Sequence, residues 1–593
     1  MSTARLWRFC EIQLYLVVFA LPFEYYLDRQ RPLLTTLKIQ VAALIVTWIC
    51  MKGIEFFQSR NETNSGWHRA TSNRLLSAMA LFAVVQILAA IFAPEFRANA
   101  LRSAAKTCIG VVLAVVAADI SQCDSRKKQF SDVRIHAIAA VALAGLTMAV
   151  LGFGDWIGIK FLSGIVTLFE PTKYFLGDSV RFVSTMEYPN TAASFLSVSL
   201  CATLALIVSR VPVRYRDPWK RTSVLIVIPI LGAAISLTYS RGALAATIVA
   251  IAVAAWIWRG QFHLKYSWVA SGLCLAVLFA GAWPSYLVRH AAESFIPPAQ
   301  KRNAHYGWNA NAPTRHLSPG KIYSEDLTVQ NSSPCSWRSD GFGLAYRWYS
   351  LKDDQNSPLQ VATEFHTDIV PTQRTRMRVS FKTPMEKGEY LLIWFVVERR
   401  DQVHEVKDSY SPGIMCVVSA GMAKTADSIS PKAQRYLGAI REERRTLSSA
   451  LIPKRLELWA AALRMFWSRP LVGLGPDSFR LRKQEFMEVP GGDETILANN
   501  LYLELLSGSG ILGLLSFLWV VWEFGRRIFS QRFRIEADGD WTAAYFGIAY
   551  LTAWMAHGLV DYFFKFTPTF VLFWLILGLL NFRPNANGVS VCE

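Results

Sequence analysis

The sequence predicts an all-α polytopic membrane protein of about twelve transmembrane helices, with a β-sandwich inserted on its extracytoplasmic side. Three observations predict it. Apolar runs long enough to cross a hydrocarbon core of about 30 Å recur along the chain. Lys and Arg crowd alternate connecting loops. Over residues 289–497 the composition changes abruptly, and short alternating runs punctuated by turn residues replace the apolar ones.

Of the 593 residues, 52% are hydrophobic and only 18% charged, a balance soluble domains rarely show. The runs begin near residues 10, 37, 75, 103, 135, 190, 223, 242, 266, 498, 541 and 566. Each continues for roughly 16 to 25 residues, enough for one helical crossing. The first, from Cys10 to about Tyr26, lacks a small-x-small cleavage site and leads straight into a second span. It is therefore expected to stay as helix one rather than to be removed as a signal peptide.

A net charge of +18 invites a nucleic-acid reading, but the placement of the charge assigns it to topology. With a cytoplasmic N-terminus, the cytoplasmic loops and their flanks carry Lys52, Arg60, Arg69 and Arg74, then Arg126, Lys127, Lys128 and Arg134. Arg210, Arg214, Arg216, Lys220 and Arg221 follow, then Arg259 and Lys265, and finally Arg526, Arg527, Arg532 and Arg534. This positive-inside bias puts both termini in the cytoplasm and the large insertion outside, with lipid headgroups rather than nucleic acid as partners. Of the nine cysteines, only Cys335 and Cys416 fall in the large outside segment, where an oxidising compartment would allow a disulfide. Sequence spacing leaves their pairing open. No CxxC or Cys/His spacing points to a metal and no GxxxxGK[ST] to a nucleotide, so no cofactor is expected.

Residues 1–288 carry nine spans and an outside loop at 154–189, whose aromatic stretch from Trp156 to Phe175 is expected to lie on the membrane interface. Residues 289–326 read as a linker, marked by Pro297, Pro298, Asn303, Asn309 and Pro313. The sandwich is expected over 327–420, with strands such as Arg376 to Phe381 and Tyr390 to Glu398 parted by Pro384, Lys387 and Gly388. Trp337 and Trp394 are expected in its core rather than on a sugar-stacking platform. An outside helical region at 421–497 contains a helix that ends at a Pro/Gly loop near Pro470 and Gly473. Residues 498–593 supply three more spans and a cytoplasmic tail. Gly508, Gly510 and Gly513 in span ten are expected to let helices approach closely.

Two kinds of motif carry a resemblance. "VQNSSPCSWRSDGFGLAYRWYS" and "TDIVPTQRTRMRVSFKTPMEKGEYLLIWFVVE" place Trp337 after an Asn-containing turn, then Tyr346-x-Trp348 and a P…GEY turn. They resemble an immunoglobulin-like module that accompanies bacterial cell-surface glycan enzymes. Four stretches at outside ends of spans are "RFVSTMEYPNTAASFL" (181–196), "LTYSRGALAA" (237–246), "RLELWAAALRMFWSRPLVGLGPDSF" (455–479) and "ANNLYLELLSGSGILGLLSFL" (498–518). With a weaker fifth, "HGLVDYFFKFTPTFVLFWLILGLL" (557–580), they resemble the O-antigen ligase / O-antigen polymerase family.

That resemblance implies a GT-C-like enzyme of the bacterial inner membrane. It would move a glycan from an undecaprenyl-diphosphate donor to a glycan, lipid or protein acceptor on the periplasmic side. Arg241 and Arg455 match the family's donor diphosphate-binding arginines and Arg181 a third basic position, while Asn190, Ser240, Asn500, Tyr502 and Asp561 belong to the motifs. The chemistry suits those residues, because a guanidinium fork binds phosphate oxygens in bidentate fashion and stabilises charge growing on a diphosphate leaving group. One departure is plain. Where family members place an acceptor-activating His, this chain has Asn499, which orients a hydroxyl but accepts no proton at neutral pH. Glu187, Asp493, Glu494 and Asp561 are the candidate substitutes, with Glu187 preferred because it lies inside a motif. Otherwise the arginines and positioning carry the rate, or transfer has been lost. The rivals are a non-catalytic scaffold of polysaccharide assembly and a secondary transporter, which would show internal repeats and broken helices near the midplane. Ligase and polymerase share the donor half of the reaction and stay undivided.

Overall fold

The computed structural model describes residues 3–27, 34–59, 74–123, 133–169, 175–176, 179–208, 218–257, 272, 274, 304–308, 314–331, 333, 335–353, 355–371, 373–399, 403–406, 409, 411, 414–419, 430, 455–487, 496–531 and 541–581. Two compact units emerge: residues 1–292, 462–479 and 497–593 form the first, and residues 293–461 and 480–496 the second.

In the first unit, apolar runs rich in Ala, Leu, Val and Ile become helices. In chain order they are α1 (Thr3–Ala20), α2 (Thr36–Ser59), α3 (Arg74–Ile91), α4 (Arg97–Cys123), α5 (Val133–Ile157), the short α6 (Lys160–Phe169), α7 (Pro189–Val208), α8 (Pro218–Leu237) and α9 (Arg241–Ile257). After the insertion come α10 (Arg455–Ser468) and α11 (Ser478–Phe486), each divided between the two units, and then α12 (Leu501–Gln531), α13 (Thr542–Gly558) and α14 (Thr567–Leu579) of the first. Every predicted span except the ninth coincides with one of these helices. The ninth, from residue 266, lies outside the described residues but for Gly272 and Cys274. Among the described residues, six helices (α2, α3, α4, α5, α7 and α12) are long and apolar enough to cross a membrane. With lipid on the outside, their backbone groups are satisfied within the helix and their apolar side chains face either neighbours or hydrocarbon. One buried cluster, running from Leu14 of α1 through Phe195 of α7 to Trp574 of α14, ties the unit together. The chain is a multi-pass membrane protein.

The predicted interfacial stretch becomes the end of α5 and α6. Trp156, Ile157, Phe161 and Leu168 are exposed there, which suits a helix lying at the boundary between headgroups and acyl chains.

One helix break is internal to an element. Gly510 sits within α12 at φ 64° and ψ −165°, a conformation essentially reserved for glycine. The break frees backbone groups that membrane depth would make costly. The 470–475 loop satisfies them reciprocally: Leu474 and Gly475 donate to the carbonyls of Ser507 and Gly508 (3.0 and 2.8 Å), and Ile511 and Leu512 donate to Pro470 and Leu471 (2.8 and 3.3 Å). The expectation for these glycines is thus corrected in part. Gly508 and Gly510 admit a loop backbone rather than a neighbouring helix, and a Cβ on Gly510 would stand 2.3 Å from the Leu471 carbonyl oxygen, while a Cβ on Gly513 would stand 3.6 Å from Gln86 of the neighbouring α3.

In the second unit, two sheets pack around one core. Strands β3 (Ala304–Trp308), β5 (Ile322–Asn331) and β9 (Arg374–Lys382) form one sheet in that order of pairing, β3–β5–β9. The other has the path β4–β12–β10–β6–β7, built from β4 (Thr314–Leu317), β6 (Phe342–Ser350), β7 (Gln355–Asn356), β10 (Gly388–Arg399) and β12 (Ile414–Val418). The strands β8 (Gln360–Glu364) and β11 (Val403–Glu405) flank it, and β1 (Phe175–Leu176) and β2 (Ser179–Val180) make a separate hairpin in the first unit. Alternation buries Leu327, Val329, Val379 and Phe381 from one sheet against Leu344, Tyr346, Trp348, Leu392 and Trp394 from the other. Trp337 and Trp394 are 1% and 0% exposed, so both are core. Each such burial contributes on the order of 2–3 kcal/mol. The stretch expected as a linker, 289–326, is corrected over its second half: β3, β4 and the first residues of β5 lie in it. Hydrophobic alternation in these strands is short and interrupted by Asn309 and Pro313, which hid it. Cys335 is exposed and Cys416 buried, and no disulfide joins them.

Candidate functional site

Alternate inter-helix turns of the first unit gather at one end of the helices. The first ties are between the 181–188 segment and the α8–α9 turn. Phe182 N–H donates to the Leu237 carbonyl (2.9 Å), and Arg181 Nε donates to the Thr238 carbonyl (2.8 Å). The other arm of the Arg181 guanidinium donates to Asn190 Oδ1 (3.1 Å) at the start of α7. Arg181 and Asn190, predicted from one motif, therefore meet and hold the turn that carries the second.

That turn is tight. Tyr239 is held at φ 52°, in the left-handed region, and Ser240 is buried with its N–H on Thr238 Oγ1 (3.2 Å). Arg241 follows as the first residue of α9, exposed, with no hydrogen bond or ion pair to a described residue. Next to it, Gly242 lets the α13–α14 turn lie against α9, since a Cβ there would meet Val560 at 2.4 Å. Arg455 repeats the pattern in the second unit: it is the first residue of α10, exposed, and without such a partner among described residues.

The 498–504 segment is built as a cap. Asn500 Oδ1 accepts the N–H groups of Tyr502 and Leu503 (3.0 and 3.1 Å), which makes it the N-cap of α12. Its amide Nδ2 donates to the Leu559 carbonyl (2.8 Å), and Tyr502 Oη donates to the Met555 carbonyl (2.8 Å). Glu504, buried, accepts the Ala498 N–H (2.7 Å). Between them Asn499 is held at φ 49° and half-buried. Replacing Asn500 by Ala should cost about 1–2 kcal/mol in unfolding free energy, from the lost cap and the lost bond to Leu559. Asn500→Asp, which keeps the cap alone, should lose less, and thermal unfolding of the purified chain reads both.

Five non-glycine residues with positive φ occur among the described residues: Phe96, Ser184, Tyr239, Asp477 and Asn499. All five lie in turns at this same end of the helices. Strain of that kind costs on the order of 1–3 kcal/mol per residue and collects where a fold holds groups for function.

Among the candidate bases, Glu187 is exposed overall, yet its carboxyl stands among enough protein to be partly desolvated. Burial raises its pKa above the ordinary carboxylate value; Lys565 and a hydrogen bond to Tyr188 oppose that, Glu24 adds to it, and Tyr26 opposes it. Asp561 is buried, and its Oδ1 accepts the Tyr562 N–H (2.7 Å). Asp493 and Glu494 lie outside the described residues.

Sequence reasoning missed His557. It is buried in the last turn of α13, with Nδ1 3.0 Å from Ser194 Oγ and Nε2 3.9 Å from Asp561 Oδ2. Ser194 gives its own proton to the Asn190 carbonyl (2.9 Å), so the network assigns the Nδ1 proton to the imidazole as donor. The signal available was the i,i+4 spacing of His557 and Asp561 in the fifth motif. Lys106 was missed too. Its ammonium, coming from α4, donates to the carbonyls of Phe564 and Lys565 (2.7 and 2.9 Å) and lies 4.7 Å from the Phe570 ring centroid.

Known proteins bear on this arrangement in one place. Residues 390–518 match the O-antigen ligase family, a stretch that contains Arg455, Asn499, Asn500 and Tyr502 but neither Arg181 nor Arg241. No curated protein matches the chain. Among solved structures, a CARDB domain from Pyrococcus furiosus is 14% identical over 20% of this chain and 92% of its own, with a TM-score of 0.13. The alkylpurine DNA glycosylase AlkC of Pseudomonas fluorescens, bound to DNA with an abasic-site analogue, is 8% identical over 58% of this chain and 97% of its own, with a TM-score of 0.14. Scores that low support no argument about fold or function.

Proposed function

From membership of the O-antigen ligase/polymerase family, which the match at 390–518 supports, we propose that this chain is a glycan transferase of the bacterial inner membrane. It takes its glycan from an undecaprenyl-diphosphate donor and passes it to a glycan, lipid or protein acceptor on the periplasmic side. The observation that carries the reading is Arg241. A cation at the first position of a helix opposes the macrodipole, which disfavours it by roughly 0.3–1 kcal/mol. An anion seated there reverses that cost, because both the helix N–H groups and the guanidinium face it. Arg455 offers the same chemistry at the start of α10.

In this reading Arg241 and Arg455 bind the donor diphosphate and stabilise the charge that grows as the glycosidic bond breaks. Arg181, with its guanidinium on Thr238 and Asn190, positions the Ser240–Arg241 turn. Asn499 orients the acceptor hydroxyl. Glu187 takes the proton, and its raised pKa has a consequence that sets a test. A general base works deprotonated, so the acid limb of the pH–rate profile should lie above the ordinary carboxylate range, with activity rising as pH increases through it. Glu187→Gln should remove that limb and lower the rate by about 10²-fold. An unchanged profile assigns the proton elsewhere.

The break in α12 is a feature shared with secondary transporters. Here, however, the 470–475 loop occupies the freed backbone groups, which in a carrier would meet cargo. The deciding experiment is the surface-glycan profile of cells lacking the gene, complemented by wild type or Arg241→Ala. A glycan lost on deletion and restored only by wild type supports transfer, and chain length against attachment then separates polymerase from ligase. Equal restoration by both would move the assignment to a scaffold.

A further inference from the structure

A second feature of the first unit borders the 498–504 segment through Glu504 and is lined by neither Arg181 nor Arg241. It is a cleft between α3, α4, the 476–477 turn, α12 and the α13–α14 turn, with an empty volume of about 410 Å³ counting its open mouth. Polar groups of both kinds line it: Gln86, Lys106, Thr107, Asp477, Glu504 and Tyr562. Gln86 is 3% exposed, and its Oε1 accepts the Ser509 hydroxyl (2.9 Å) while its Nε2 has no hydrogen-bond partner among the described residues. A buried amide donor left without a partner costs on the order of 1–3 kcal/mol, and polar residues on membrane helices tend to mark binding sites. Lys106 commits two of its three N–H bonds to carbonyls, and no third is formed among described residues. Phe564 and Phe570 supply apolar walls.

The charge balance selects the ligand class. Two carboxylates disfavour an anion, and the buried ammonium disfavours a cation. A neutral molecule with many hydroxyls, able to donate to Asp477 and Glu504 and to accept from Lys106 and Gln86, suits the cleft, with its C–H faces against the rings. Tyr562 fits the same picture: burial, then the charges of Glu504 and Asp477, hold its phenol well above the usual value, so it stays neutral. The cleft is joined to the site already described, since Glu504 fixes the Ala498 N–H next to Asn499 and Asn500 holds the turn that carries Tyr562.

We propose that this cleft is a sugar subsite, which binds a neutral pyranose unit of the glycan next to Asn499. The inference rests on the glycan-transferase reading and adds where one sugar ring is recognised.

The test uses the full-length chain purified in lipid nanodiscs and saturation-transfer NMR with glucose, galactose, mannose, rhamnose and N-acetylglucosamine as probes. At least one sugar should show ring-proton saturation with wild type. Gln86→Leu and Thr107→Val should each reduce it several-fold, with thermal unfolding used to confirm that the variants are folded. Arg241→Ala should leave it intact. The proposal is overturned if no sugar saturates wild type, if both cleft variants bind as wild type does, or if Arg241→Ala abolishes the signal, which would place the sugar elsewhere. Sugar binding that persists while Arg241→Ala cells keep a normal glycan profile would instead remove the transferase reading and leave the cleft standing.

Discussion

Replacing Arg241 by Ala is expected to lower glycan transfer by about 10²–10³-fold while leaving the protein as stable as wild type, within about 0.5 kcal/mol. The two halves of this prediction follow from one geometry. The side chain is exposed and makes no hydrogen bond or ion pair to a described residue, so the fold loses nothing when it is removed. Against the helix dipole it is locally unfavourable, so its loss should even stabilise α9 by a few tenths of a kcal/mol. The donor diphosphate, in contrast, loses a fixed cation at the point where charge develops. Arg241→Lys should recover only part of the rate, since an ammonium cannot grip two oxygens at once. Initial rates with a lipid-linked donor, read beside a thermal unfolding curve, check both halves together. A stable variant with near-normal transfer would end the diphosphate assignment, and an unstable one would make Arg241 a structural residue.

Gly510→Ala is expected to be the most damaging single-methyl change to folding. The residue sits at φ 64° and ψ −165°, where a side chain costs on the order of 1–3 kcal/mol. Its new Cβ would also stand 2.3 Å from the Leu471 carbonyl oxygen, forcing the 470–475 loop away. Overpacking of that sort adds roughly 1–3 kcal/mol, and displacing the loop strands the carbonyls of Ser507 and Gly508 at membrane depth. A total of about 3–5 kcal/mol should abolish accumulation of folded protein. Gly508→Ala provides the contrast, because its Cβ would meet the Gly475 carbonyl at 3.2 Å, which a small shift relieves. Membrane-extracted yield and monodispersity should fall sharply for the first variant and little for the second. Equal yields would mean that the break in α12 tolerates a side chain.

The helices were legible because each is a continuous apolar run, and length against bilayer thickness leaves few alternatives. Spans expected near 37, 75, 190 and 242 begin at Thr36, Arg74, Pro189 and Arg241, whereas those expected near 10, 103 and 223 begin earlier, at Thr3, Arg97 and Pro218. The interior position of Trp337 and Trp394 was legible for a similar reason, since large rings within a sandwich sequence seek the shared core. What stayed hidden depended on partners distant in sequence. The Asn309 and Pro313 punctuation concealed β3 and β4, because short strands become strands only through pairing: Ala304 faces Asn331 and Thr314 faces Met415.

The site divides along the same line. Residue types at the turns declare themselves locally, as with the cation Arg241 after Ser240, whereas the capping of α12 by Asn500 came only from its bonds to Tyr502 and Leu503. Their chemistry depends on contacts that no local pattern records. Gln86 reads in sequence as one polar residue in an apolar helix, and Lys106 as a stray charge. Only packing joins them, across more than 450 positions in the case of the Lys106 contact to Phe564. By itself the sequence determined the membrane class, the approximate places where helices begin and the identity of the cations at their ends, since hydrophobicity and charge act on each segment alone. The tertiary structure decided which cation is a tether and which has no hydrogen bond or ion pair to a described residue, that Gly510 breaks a helix to receive a loop, and that six scattered polar residues share one cleft. The physical reason is that hydrogen bonding, burial and strain belong to pairs of segments, and the pairs exist only in the folded chain.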